Sequence, residues 1–164
     1  MKTIVKIGVA ILILGGVIWI ARPGTKNNTA SLSTKSNGVL TLEETNNYDF
    51  GAISMAAGKV THQFKIKNTG TGPVTIEKIY TSCMCTEAAL VKNEERFGPY
   101  GMPGHGFIPK INQVLNRDEQ AEIEVIFDPA AHGPAGIGKI QRVVTVENNA
   151  GEPLQLNLTA NVIP

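Results

Sequence analysis

Cys83-Met84-Cys85 concentrates more chemistry than any other tripeptide of this 164-residue chain, whose two cysteines it contains. A thiolate is a nucleophile, a soft-metal ligand and one half of a disulfide. Cysteines two apart point the same way from a strand, with Cα atoms roughly 6.6 Å apart, at the upper edge of what a disulfide spans. A Cys83–Cys85 disulfide therefore needs a turn or bulge to draw the pair together. Three readings stand side by side: a structural pair (local disulfide or buried thiols), a soft-metal site and a redox-active dithiol. No thioredoxin-like βαβ pattern surrounds the pair, which weighs against the third.

Two Gly/Pro-rich segments supply complementary donors. Gly98-Pro-Tyr-Gly-Met-Pro-Gly-His-Gly106 reads as a nine-residue loop carrying Met102 and His105, and Ala131-His132-Gly133-Pro134 follows a strand end. Thiolate, thioether and imidazole together favour Cu(I), with Zn(II) next. The expected ligand set is Cys83, Cys85, Met102, His105 and His132, on the condition that the cysteine pair and the glycine-rich loop are neighbours in space. Met84 would face away from the cysteines on a regular strand. Tyr100 and Phe97 read as anchors of the loop. His62, in phase with Val60 and Phe64, reads as a core or strand-end histidine.

Catalytic constellations are absent from the sequence. Asp118-Glu119 and Glu94-Glu95 fall in polar, solvated segments. No Ser/His/Asp order with a strained nucleophile turn occurs, and no phosphate-cradling glycine loop precedes a helix. The expectation is a protein that binds and does not catalyse.

The elements that must position these residues have period two. Val60, His62, Phe64 and Ile66 alternate with polar residues, as do Leu154, Leu156, Leu158, Ala160 and Val162, while Ala121, Ile123, Val125 and Phe127 alternate with Glu122, Glu124 and Ile126. Each is a strand with one buried and one wet face. Weaker strand candidates lie at 39–43, 48–50, 74–80 and 139–147, separated by turn chemistry at 68–73, Asp128-Pro129 and 148–151. The fold class expected is all-β: an immunoglobulin-like antiparallel β-sandwich of about seven strands.

Tyr48-Asp-Phe-Gly-Ala-Ile53, His62-Gln-Phe64, Lys67-Asn-Thr-Gly70, Pro73-Val-Thr-Ile76, Ser82-Cys-Met-Cys-Thr86 and Glu122-Ile-Glu-Val-Ile-Phe-Asp128 occur in that order. With them the chain, over roughly residues 45–164, resembles the bacterial family called domain of unknown function 1573, itself similar to the Hydin-like immunoglobulin domains. The resemblance implies an exported β-sandwich and no established activity. The family usually has Gly between its cysteines, where Met84 stands here, and a longer segment, about 87–117, precedes the next clear strand.

The body follows a hydrophobic leader. Residues 7–21, including Ile7, Leu12, Leu14 and Trp19, carry no charge, and Ile4 and Val5 extend the run. That is the short end of a membrane-spanning helix, with Trp19 suited to the headgroup region. The rival is a signal peptide, but cleavage after Ala21 would put Trp19 where a small residue is wanted. Residues 1–22 are thus expected to be a membrane anchor or signal segment, 23–38 a flexible Gly/Ser/Thr/Asn/Lys linker and 39–164 the sandwich. The leader and linker carry five Lys or Arg and no acid, whereas residues 39–164 carry ten bases against fourteen acids, a net −4. An acidic body without a basic run argues against nucleic acid as a partner.

The sequence therefore describes a single-pass membrane protein with its C-terminal domain outside the cytoplasm, or a secreted protein after leader cleavage. Its expected role is an envelope-facing binding module holding copper or, less well matched, zinc. The alternative is a scaffold with a structural cysteine pair that engages another envelope protein, and a thiol–disulfide redox protein comes third.

Overall fold

The computed structural model describes residues 36–164. The expected anchor (1–22) and almost all of the linker (23–38) lie outside the described residues. Among the described residues no helix is long and apolar enough to cross a membrane.

The described residues form ten strands, joined by short turns except across 101–112 and 128–137: β1 (Leu40–Leu42), β2 (Asn47–Ser54), β3 (Val60–Asn68), β4 (Val74–Thr81), β5 (Thr86–Lys92), β6 (Glu95–Tyr100), β7 (Gln113–Leu115), β8 (Gln120–Phe127), β9 (Gly138–Asn148) and β10 (Leu154–Ile163). They form two five-stranded sheets, ordered β1-β3-β8-β5-β6 and β2-β10-β9-β4-β7. The period-two segments become strands because alternation buries one face of each sheet. Phe64 and Ile66 of β3 and Ile123 and Val125 of β8 meet Ile76 and Ile79 of β4, Val144 and Val146 of β9 and Leu156 and Leu158 of β10 in one core. Each such side chain contributes about 1.5–3 kcal/mol on burial.

The all-β, two-sheet reading holds, with two corrections. There are ten strands among the described residues, not about seven, because β5, β6 and β7 occupy the segment expected to be a long loop. The sheets are also not wholly antiparallel, since β2 runs parallel to β10. Alternation marks which face of a strand is buried but carries no information about the direction of its neighbour.

The sandwich has two distinct poles. At one, Ser36–Val39 lies against the β3–β4 turn: Thr71 N donates to Asn37 O at 3.1 Å and Thr69 N to Val39 O at 2.9 Å. Buried Asn68 ties this pole together. Its amide donates to Gly72 O at 2.8 Å and Leu115 O at 3.0 Å, and its carbonyl accepts from Gly70 N at 3.0 Å and Val39 N at 3.2 Å. A Cβ on Gly70 would lie 2.4 Å from Val39 N and 2.5 Å from Asn37 O, so only glycine fits there. The opposite pole gathers the β4–β5 turn, the β8–β9 connection and the start of β3, which pairs Val60 with Phe127. Cys83-Met84-Cys85 sits at this second pole.

Candidate metal centre

Cys83-Met84-Cys85-Thr86 is a β-turn closed by Thr86 N donating to Cys83 O at 3.1 Å. The turn replaces the strand spacing that would have held the cysteines apart. Neighbouring strands fix it. The Thr81 hydroxyl, buried, lies 3.0 Å from Cys83 O and 2.8 Å from Thr86 O. Ser82 exchanges a pair of hydrogen bonds with Val143 of β9: its N donates to Val143 O and its Oγ accepts from Val143 N, both at 2.9 Å.

His132 arrives from the β8–β9 connection, which, like the cysteine turn, passes from one sheet to the other. Asp128 N donates to Cys85 O at 2.8 Å, placing the end of β8 beside the turn. The Asp128 carboxylate accepts from Ala130 N at 2.9 Å, an Asx turn that reverses the chain, and Gly133 N donates to Ala130 O at 2.9 Å. His132 then precedes a single 3₁₀ turn, Gly133–Gly136, with Pro134 in its first residues.

The result is a compact donor set. Cys83 Sγ stands 2.8 Å from Cys85 Sγ and 3.1 Å from His132 Nε2. Both cysteines are free thiols, and the two sulfurs and a His132 ring nitrogen all lie within 4.8 Å of one another. Cys85 is 2% exposed and packs with Ile53, Phe127, Ala160 and Val162. Cys83 is half-buried and His132 exposed, so the set opens outward from an apolar floor. The donors fit a three-coordinate soft ion. Metal–sulfur and metal–nitrogen bonds of 2.3 and 2.0 Å put such ligands roughly 3.7–4.0 Å apart. Seating an ion therefore opens the present cluster by about 1 Å, within the range of side-chain torsions.

Arg142 of β9 completes the site, its Nε donating to Cys85 Sγ at 3.0 Å. Burial raises the Cys83 thiol, but hydrogen bonds from Cys85 and His132 and the Arg142 charge outweigh it and bring Cys83 down to about 7. Burial holds Cys85 above the ordinary thiol value despite the Arg142 hydrogen bond. Arg142 was not singled out from the sequence, yet a signal was there. It shares strand parity with Val144 and Val146, which are buried, so a cation falls on the apolar face and requires a partner.

The other residues of the expected ligand set lie elsewhere. Met102 and His105 are brought not to the sulfurs but to a separate hollow, which Met84 also lines. The glycine-rich segment is nonetheless a neighbour of the cysteine turn: Thr81 N donates to Gly101 O at 3.1 Å. Its first three residues, Gly98–Tyr100, belong to β6 rather than to a loop. Phe97 and Tyr100 pack against the main core, as anchors would. His62 stacks on Tyr48 with ring centroids 3.5 Å apart and meets Phe64 edge-on at 4.6 Å. Burial lowers its pKa against the opposing pull of Glu44, and its place is in the aromatic packing.

These features define a class: a β-sandwich domain whose polar turn presents a Cys-X-Cys pair. Residues 40–99 match the family described as "Protein of unknown function (DUF1573)", which bears out the resemblance carried by the sequence motifs. No curated protein matches the chain. Among solved structures it is similar to a protein of unknown function from Porphyromonas gingivalis, at 15% identity and a TM-score of 0.57, covering 82% of this chain and 51% of that one. The chain thus spans about half the length of that protein, and the likeness is one of fold. It is also similar to an ASH/PapD-like domain of human CEP192, at 14% identity and a TM-score of 0.45, covering 76% of this chain and 84% of that one. A third similarity is to the CooA pilin subunit of enterotoxigenic Escherichia coli, at 11% identity and a TM-score of 0.43, covering 78% and 99%.

Proposed function

We propose that this domain is an envelope-facing, membrane-tethered binding module that holds Cu(I) on Cys83, Cys85 and His132. The observation that carries the reading is the convergence of two thiols and one imidazole within 4.8 Å at an open pole of the sandwich. Charge selects the ion. Two thiolates bring −2, and the guanidinium against Cys85 returns +1. A monovalent soft cation makes the site neutral, whereas Zn(II) leaves an excess positive charge over an apolar floor. Arg142 acts as an outer hydrogen-bond partner that stabilises the thiolate it touches.

A dithiol that exchanges with disulfides is the competing reading, favoured by the Cys83 thiol at about 7 beside a second sulfur. Anaerobic Cu(I) titration of the full chain against a chromogenic chelator separates the two. The expected result is one tightly held equivalent at this site, lost in Cys83→Ser and in Cys85→Ser and weakened at least tenfold in His132→Gln. A protein whose Cu(I) retention is unchanged by Cys83→Ser overturns the metal reading. If the protein with both thiols intact then reduces a client disulfide, or in its oxidised form oxidises a client dithiol, the redox reading takes its place; if it does neither, a scaffold with a structural cysteine pair remains.

A further inference from the structure

The expected ligand set of Cys83, Cys85, Met102, His105 and His132 is divided between two hollows that share the cysteine turn. Met84 is the residue between the cysteines, and as their side chains turn toward His132 and Arg142 its own remains 52% exposed. About half of this unbranched apolar side chain is thus left uncovered at the tip of a tight turn. It faces an open hollow of about 590 Å³ that Met102 and His105 also line.

The second pair is held by a turn of its own. Met102-Pro103-Gly104-His105 is closed by His105 N donating to Met102 O at 3.2 Å, with Gly104 at φ +90°. Pro then Gly at the two central positions, the glycine with positive φ, is the type II pattern, and it brings the first and fourth Cα atoms within about 7 Å. A thioether and an imidazole are thus carried at the two ends of one turn and line the same hollow. The Thr81 N to Gly101 O bond fastens this turn to the strand leading into the cysteine turn, so the two turns flank the same hollow. Met102 is half-buried, whereas His105 and Met84 are accessible from solvent.

We propose that Met84, Met102 and His105 form a second soft-metal site, which takes Cu(I) on two thioethers and an imidazole. The donor types select the ion: thioether sulfur is a poor ligand for Zn(II), Mg(II) or Ca(II) and a good one for Cu(I). Thioethers bind no proton in the ordinary pH range, so this site needs only a neutral imidazole, whereas the dithiolate site must shed thiol protons. The inference stands apart from the first site, because no residue is common to the two ligand sets.

The test uses Ag(I), a redox-inert stand-in for Cu(I), and methyl-labelled methionine in the full chain carrying Cys83→Ser and Cys85→Ser. With both thiols removed, the outcome does not depend on the dithiolate reading. The expected result is that the Met84 and Met102 methyl signals shift together and saturate at one equivalent while Met55 stays in place. Adding His105→Gln should weaken that binding at least tenfold. If neither signal moves, or Met84 moves alone, there is no second site. In that case titration of the chain with its thiols intact still reports on the first.

Discussion

Cys83 and Cys85 differ by one position in the chain and by opposite shifts in their thiol chemistry. Cys85 is buried on an apolar floor, where loss of hydration favours the neutral thiol even with a guanidinium against it. Cys83 stands at the mouth with Cys85 and His132 as hydrogen-bond partners, and its thiolate forms from about pH 7 upward. Differential alkylation of the metal-free protein should therefore label Cys83 first, with a rate profile centred near pH 7, and Cys85 slowly. Arg142→Leu removes the charge that helps hold Cys83 down, so its profile should move to higher pH. An unmoved profile would mean that Arg142 does not tune this pair. The same substitution takes a hydrogen bond from Cys85 and should weaken Cu(I) retention without abolishing it, since no donor is lost.

Turns, more than strands, build the working pole, and at the far pole a turn also carries much of the stability. Asn68 serves four partners there and is wholly buried. Asn68→Ala leaves buried backbone groups unpaired and should cost about 3 kcal/mol in chemical denaturation. Gly70→Ala should destabilise the same turn by steric clash with Asn37 and Val39. A loss under about 1 kcal/mol for Asn68→Ala would show that water replaces its hydrogen bonds. Legibility in the sequence followed from the same distinction. The strands β3, β8 and β10 were plain because every second residue along them faces the core, a pattern that the apolar Ile126 of β8 does not obscure. By contrast β5 buries Ala88, Ala89 and Leu90 in succession, and β6 ends in Gly98-Pro99-Tyr100, so neither shows period two. Their hairpin tip, Asn93-Glu94, has both residues at positive φ, the geometry of a tight two-residue turn without its usual glycine. The donors of the first site could be picked out by type, but their grouping could not. Whether Met102 or His132 meets the sulfurs depends on a cysteine turn and an Asx turn, not on spacing along the chain.

At the scale of the molecule, an apolar leader, a polar linker and a sandwich follow one another along the sequence. In the proposed tethered form, the full chain should remain with the membrane fraction after a high-salt wash and be released by detergent. A soluble product whose N-terminus lies near residue 22 would instead mark the leader as a cleaved signal. Neither outcome touches the two proposed metal sites, whose residues lie wholly within 82–142.

The polarity of the sandwich carries a consequence for who can deliver or collect an ion. Ser36 leaves the domain beside the β3–β4 turn, and the sulfurs sit past the far end of β4, a strand of eight residues and so about 26 Å long. If the domain is tethered through its N-terminal side, as proposed, the proposed copper site lies on the side away from Ser36. Under that proposal, an exchange partner would reach the cysteine turn from the aqueous side, as a soluble carrier or a protein rooted in an opposing surface, rather than from low in the same bilayer.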